Sequence, residues 1–181
     1  FSLVDKTDPF AERIGAVNTI CVDKKGLLTG SNTDACGFIA NLQVGARHWR
    51  PSRPALVLGA GGAARAVCAG LMTAGVREIR VCNRTRSRGQ IMAREIGGPI
   101  VVVDWADRAE AVDGVGLLVN TTTLGMIGAP VLSMPLTKLP TGAVVTDIVY
   151  TPLMTPLLVS ARERGNVVVD GLGMLLHQAR P

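Results

Sequence analysis

From residue 55 to residue 169 the sequence alternates short runs of Val, Leu and Ile with longer stretches of helical character. Strands are expected at 55–58, 78–82, 100–103, 116–119, 143–147 and 167–169. Helices are expected at 62–75, 86–96 and 155–164, with a last one beginning near Gly171. Strands that are apolar throughout, without polar alternation, are strands buried on both faces. A helix between two such strands returns the chain to the same end of the sheet, so the strands run parallel and the helices cover both faces. The pattern therefore predicts an α/β fold built on a doubly wound, Rossmann-type parallel sheet. Composition can fill it: 48% of the residues are hydrophobic and only 3% aromatic, so the core is one of Val, Leu, Ile and Ala.

The first 50 residues fall outside this alternation. VNTICV and GLLT, within 17–29, read as two short strands joined by a polar turn from Asp23 to Gly26. Asn32 to Asp34 suit the cap of a helix from Ala35 to Val44, and GARHWRPSRP (45–54) reads as a connector. This portion is expected to be the tail of a second α/β domain, giving boundaries of 1–32, 33–50 and 51–181. The opening FSLVDKTD has neither a basic start nor an apolar run of the signal-peptide kind, and it has no initiator Met. The chain is thus expected to begin partway through a longer protein. No apolar run approaches the roughly 18 residues of a membrane helix, so no membrane partner is expected.

Four cysteines, Cys21, Cys36, Cys68 and Cys82, lie far apart with no C-x-x-C pair. They are expected to be buried free thiols in a reducing cytoplasm, with no metal site and no disulfide. The net charge of +5 is not gathered into a long basic run, and aromatics to stack on bases are few. An anionic small molecule is therefore the expected partner, and nucleic acid is not.

The anion has an obvious seat. In LVLGAGGAARAV (56–67) an apolar strand ends at glycines and a helix begins. Gly59, Gly61 and Ala64 fit G-x-G-x-x-G/A within a strand–helix–strand unit. Glycine allows close approach of a ligand, and the helix start offers unpaired N–H groups and positive potential, which suit a phosphate. A tight turn without a ligand is the alternative. The end of the second strand discriminates between dinucleotides. CNRTRSR (82–88) places Asn83 where an NAD site carries an acid, followed by Arg84, Arg86 and Arg88. Guanidinium groups bind a 2′-phosphate that a carboxylate would repel, so NADP is favoured over NAD. A solvated helix start is the other reading, most of all for Arg86.

Five polar stretches complete the pattern: GAVNTI (15–20), GSNTDACGF (30–38), NTTTLGM (120–126), DIVYTPLMTPLL (147–158) and DGLGMLLHQA (170–179). Asn and Asp alone read as turn and cap chemistry. Three of the stretches, however, follow strands of the parallel sheet, where ligands of such sheets lie. Taken in order, GAVNT, GxNTD, GAGGAARA, NRTxxR, NTTxLGM, DIVYxPLxTPLL and DGLGMLLxQ resemble the shikimate dehydrogenases, over essentially all 181 residues.

The resemblance implies an N-terminal substrate domain, of which 1–32 would be a remnant, a linking segment at 33–50 and an NADP-binding domain at 51–181. The active site would be the cleft between them. It implies reversible reduction of 3-dehydroshikimate to shikimate on the route to chorismate and the aromatic amino acids. Asn18, Asp34, Tyr150 and Gln178 would bind substrate, Asp34 also as half of a catalytic Lys–Asp pair. Gly59, Ala60, Gly61, Gly62 and Ala63 would hold the pyrophosphate, and Asn83, Arg84, Thr85 and Arg88 the 2′-phosphate end. Ile148 and Gly171, with Met174, would line the nicotinamide pocket. The family's serine pair and its lysine segment are expected upstream of Phe1, and its last helix downstream of Pro181. Lys6, Lys24 and Lys25 match no part of the lysine motif. His48 is expected to be solvated. His177 lies about 100° around the helix from Gln178, so it is not expected to be the general base. Relaxed use of quinate and a non-catalytic NADP-binding module stand as alternatives. A methyltransferase with an adenosyl cofactor would not account for the arginines. A homodimer is compatible with the sequence.

Overall fold

The computed structural model describes residues 3–179. Two sheets organise it. In the first, β1 (Lys6–Thr7), β3 (Leu28–Ser31) and β2 (Thr19–Val22) lie side by side, β1 parallel and β2 antiparallel to β3. Helix α1 (Pro9–Ile14) lies between β1 and β2 in the chain. Helix α2 (Asp34–Gly45) leads to the second sheet, where six strands run in the order β6-β5-β4-β7-β8-β9, all parallel. These are β4 (Ala55–Leu58), β5 (Ile79–Cys82), β6 (Ile100–Val103), β7 (Leu117–Asn120), β8 (Val144–Asp147) and β9 (Val167–Val169). Helices α3 (Gly62–Thr73), α4 (Arg86–Ile96), α5 (Arg108–Ala111) and α6 (Pro156–Glu163) connect them, and α7 (Leu172–Gln178) follows β9. The doubly wound parallel sheet read from the sequence is the one observed, with element ends displaced by a residue or two at most.

Four features go beyond the sequence pattern: β1, α1, the 3₁₀ turn Trp105–Asp107 and the short α5 that it runs into. Each is too short for periodicity to register. A local signal for α1 does exist. Asp8 caps it, its Oδ1 accepting from the N–H groups of Phe10 (2.7 Å) and Ala11 (2.9 Å), and Pro9 takes the first turn.

The core follows from the pleat. Alternate residues of β4 point to opposite faces. Ala55 and Val57 join Phe38, Leu42, Val67 and Leu71 on one side, while Leu56 and Leu58 join Val112, Val115, Leu157 and Leu158 on the other. Helix α2 thus packs on the large sheet through Phe38 and Leu42 rather than hanging between two bodies. A small third cluster of Ile14, Ala35, Ala66 and Ala69 ties α1 and α2 to α3.

The cysteine expectation needs correction. Cys68 and Cys82 are buried, but Cys21 and Cys36 are exposed. Cys21 stands in an edge strand whose last three residues are all exposed, and Cys36 lies on the outer side of α2 between buried Ala35 and Gly37. Apolar neighbours in sequence do not bury a thiol when no layer covers that face.

Candidate active site at the carboxyl ends of the strands

The glycine bend after β4 has the shape the sequence implied. Gly59 adopts φ +114°, a region that excludes side chains, and its N–H donates to the Cys82 carbonyl (2.8 Å). A Cβ there would lie 2.5 Å from Thr121 Oγ1, so a side chain is excluded on steric grounds too. Gly61 caps α3 with extended backbone and no side-chain hydrogen bond, and the first turn carries no acid. A Cβ on Gly61 or Gly62 would meet nothing within 4 Å. The orphan N–H groups at the start of this helix therefore open onto free space, with the helix dipole behind them. Ala60 and Ala63 are half-buried beside them.

At the end of β5, Asn83 Nδ2 donates to the Thr85 carbonyl (2.7 Å) and braces the turn into α4. Arg86 pairs with Asp104, which holds its pKa above the ordinary value. Arg84 and Arg88 are exposed and, among the described residues, have no carboxylate partner.

The ends of β7 and β8 are tied together by a buried polar network. Asn120 and Asp147 close β7 and β8 in register, both with zero exposure. Asn120 Nδ2 donates to Asp147 Oδ1 (3.0 Å) and to the Leu124 carbonyl (3.1 Å), while its Oδ1 accepts from Thr122 N–H (3.0 Å) and Thr122 Oγ1 (2.7 Å). Asp147 also accepts from Val149 N–H (3.0 Å) and Thr155 Oγ1 (2.8 Å). Burial raises the Asp147 pKa above its ordinary value, against the lowering effect of these donors. Ile148 is half-buried, and Tyr150, on the same loop, is 51% exposed. Gly171 lies against Ile148: a Cβ there would be 2.5 Å from the Ile148 carbonyl carbon and 2.7 Å from the Val149 oxygen. Only glycine lets the loops after β8 and β9 meet.

Helix α7 starts at that contact and runs along α2. Gly37 is one point of close approach, since a Cβ there would lie 2.8 Å from the Met174 carbonyl oxygen and 2.9 Å from both Gln178 Cβ and Gln178 N. Gln178 is consequently held one helical turn from Asp34. Met174 is buried in the core of the large sheet, and His177 is half-buried. Asp34 Oδ1 accepts from Asn18 Nδ2 (2.8 Å), and Asn18 Oδ1 accepts from Thr33 N–H (3.0 Å). The expected cap of α2 is arranged differently: Thr33 is the N-cap with no side-chain bond, and Asn32 Oδ1 accepts from Asp34 N–H (3.0 Å).

Close approaches and hydrogen bonds therefore lead from Gly59 through Thr121, Asn120, Asp147 and Ile148 to Gly171; α7 carries the chain from there to Gln178, which lies against Gly37 of α2, and α2 begins at Asp34, the partner of Asn18. Sequence reasoning misses Thr121, Asn120, Asp147 and Thr155. A signal was present, because LLVN and VVTD are apolar strands whose last residues are polar, a costly burial unless they are paired. Among the described residues no helix is long and apolar enough to cross a membrane.

A family model described as Shikimate / quinate 5-dehydrogenase matches residues 47–127. The chain is 61% identical over 180 residues to the shikimate dehydrogenase (NADP(+)) of Paramagnetospirillum magneticum, a match covering 99% of this chain and 65% of that protein. It is 51% identical to the corresponding protein of Ruegeria, with the same coverage. Among solved structures, the quinate dehydrogenase of Corynebacterium glutamicum in complex with NAD superposes with TM-score 0.92 at 33% identity, covering 99% of this chain and 65% of that one. The shikimate 5-dehydrogenase of Thermus thermophilus, in complex with NADP(H) and shikimate, gives TM-score 0.84 at 40% identity, covering 98% and 64%. The chain thus spans about 65% of the length of the curated relatives it matches.

Proposed function

The chain belongs to the shikimate dehydrogenase family, and from that premise we propose that it carries the NADP site and part of the substrate site of an enzyme interconverting 3-dehydroshikimate and shikimate. The observation that carries this reading is that the strand-end contacts from the glycine bend to Gly171, followed by the packed helices α7 and α2, lead to Asp34. A cofactor at one end and a polyhydroxylated substrate at the other would share one rigid frame. NADP, when bound, supplies the acceptor or donor of hydride.

The residues fit that cofactor. The open N–H groups beyond Gly59 to Ala63 offer donors and positive potential for the pyrophosphate. Asn83 brings no charge to the end of β5, and Arg84 and Arg88 can each present a guanidinium fork to a 2′-phosphate, with Thr85 at the helix cap between them. Ile148, held against Gly171, supplies an apolar wall for a nicotinamide ring.

On the substrate side, Asp34 directs one carboxylate oxygen at Asn18 and leaves the other to accept a substrate hydroxyl. Asn18 fixes the carboxylate and offers its own amide, and Gln178 and Tyr150 approach from the large sheet. Orientation of this kind is worth much of the rate in hydride transfer. Asp34 then balances the charge of the group that takes the hydroxyl proton, or relays that proton itself. The same reading divides the chain near residues 32 and 50, places the enzyme in the cytoplasm and admits a homodimer.

The test is shikimate-dependent formation of NADPH by the full-length protein that contains this chain. Activity is expected, and Asp34→Asn should lower kcat by about 10²–10⁴-fold while NADPH still binds. A full-length protein that binds NADPH but turns over neither shikimate nor quinate would make the chain a cofactor-binding module instead.

A further inference from the structure

The opposite edge of the large sheet carries a feature the proposed reaction does not use. A cavity of about 630 Å³ opens at the amino ends of β7, β8 and β9, lined by the connector that precedes β4. Four-residue strands separate it from the glycine bend by roughly 13 Å. Its volume falls within the range of small-molecule sites.

Its lining is basic and uncompensated. Arg47, His48, Arg50 and Arg53 all border it, and no acidic residue does. Four basic groups elsewhere are paired, Arg65 with Glu95, Arg80 with Glu78, Arg86 with Asp104 and Lys138 with Glu110, whereas the unpaired Arg84 and Arg88 border the proposed nucleotide site. Among the described residues, neither Arg47 nor Arg53 has a carboxylate within ion-pair distance. Like charges gathered in one short loop repel one another, and an anion between them would relieve that repulsion.

The cavity is also pre-shaped. Arg50 Nη1 donates to the carbonyls of Arg47 (2.9 Å) and Trp49 (2.8 Å), and Trp49 N–H donates to the Ala46 carbonyl (2.8 Å). These bonds fix the loop. The Trp49 ring is half-buried against the core and gives the cavity one flat apolar wall. Val144 and Val167 add aliphatic surface. Arg53 is seated by a glycine, since a Cβ on Gly116 would lie 2.9 Å from Arg53 Cβ.

We propose that this cavity is a second binding site, for a small oxyanion carried on a planar ring. The ring would lie on Trp49, and the oxyanion would accept from Arg47 and Arg53, whose planar forks suit carboxylate and phosphate oxygens. The site is separate from the nucleotide loop and lies at the other end of the strands.

Phenyl phosphate is the probe. This stretch of sequence contains two tryptophans, so Trp105→Phe leaves Trp49 as its remaining indole. In that variant phenyl phosphate should give a saturable change in tryptophan fluorescence. In the unmodified protein the same titration should shift the indole N–H resonance of Trp49 and not that of Trp105. Inorganic phosphate should bind at least ~10-fold more weakly, and Arg47→Gln with Arg53→Gln should weaken phenyl phosphate by at least ~10-fold. Arg84→Ala with Arg88→Ala should leave the response in place. No saturable response up to ~10 mM would overturn the proposal. So would equal binding of inorganic phosphate, or indifference to the loss of Arg47 and Arg53.

Discussion

The two sheets use the same kinds of residue and treat them oppositely. β4 reads ALVL, and all four residues are buried. β2 reads TICV, and Ile20 and Val22 are 54% and 64% exposed. Hydrophobic sequence is therefore not what buries a strand; a layer on each face is. The large sheet has α2, α3 and α4 on one side and α5 and α6 on the other. Among the described residues, no strand residue of the small sheet belongs to a core cluster, and its neighbouring helix α1 joins α2 and α3 through the small cluster of Ile14, Ala35, Ala66 and Ala69. Local stability should follow that contrast, because opening free energies range from near zero at poorly packed elements to the global value in the core.

The largest effect is expected in native-state hydrogen exchange. Amides of β4 and β7 should exchange at least ~10³-fold more slowly than those of β2 and β3, a difference of about 4 kcal/mol in opening free energy. Equal protection would break the contrast outright. Thiol labelling sharpens it. Burial pushes the Cys68 thiol up to about 12 and the Cys82 thiol up to about 11, so neither offers thiolate at neutral pH. Cys21 and Cys36 should label at once, and the other two only as the large sheet opens.

Next in size is Asp147→Ala. It would leave Asn120 Nδ2, Val149 N–H and Thr155 Oγ1 short of an acceptor in a buried site. Each stranded donor costs about 1–3 kcal/mol, so a loss of about 3 kcal/mol is expected in urea unfolding. The small sheet has no counterpart. Asn18→Ala removes a bond to Asp34 that is exposed to solvent, and its effect on stability should stay below about 1 kcal/mol. Similar losses for both would mean that the buried network is no anchor.

The proposed cofactor site should divide the two sheets functionally. Arg84→Ala and Arg88→Ala should each weaken NADPH by about 1.5–3 kcal/mol, the worth of a charged hydrogen bond, with NADH nearly unaffected. Asn18→Ala should leave both nucleotides alone. Calorimetric titration decides it: equal weakening of NADPH and NADH would show that the arginines do not read the 2′-phosphate.

Legibility followed the same division. The large sheet could be read nearly strand by strand, because unbroken apolar runs and glycine bends satisfy local and global demands together. The Gly59 bend and the arginine run were visible for that reason. The small sheet was half visible: its β2–β3 pairing has a polar turn, whereas β1 is two residues long and parallel to a distant partner. The site's supporting groups were the least legible. Asn120 and Asp147 owe their importance to cross-strand register, and Gly171 and Gly37 owe theirs to another segment's backbone. None of these relations exists within a sequence window. The exposed cysteines failed for the same reason, since burial was inferred from neighbours along the chain.

The smallest effect tests which force governs the anchor. Burial raises the Asp147 pKa in the folded protein above its ordinary value of 3.8. Above that value the unfolded chain has released the proton while the folded protein still holds it, so stability falls with rising pH. The contribution of Asp147 should therefore be complete below pH 3.8 and fade as pH climbs through the raised folded value. Asp147→Asn keeps the shape and an acceptor for Asn120 and Val149 but cannot titrate. The stability of the natural protein minus that of the variant, followed by urea unfolding across mildly acid pH, should decline as pH rises and then level off. An increase with pH would mean that the three donors outweigh desolvation and that the anchor is a stabilised carboxylate. In that case the large sheet would owe its rigidity at the strand ends to charge rather than to the layers that exclude water from it.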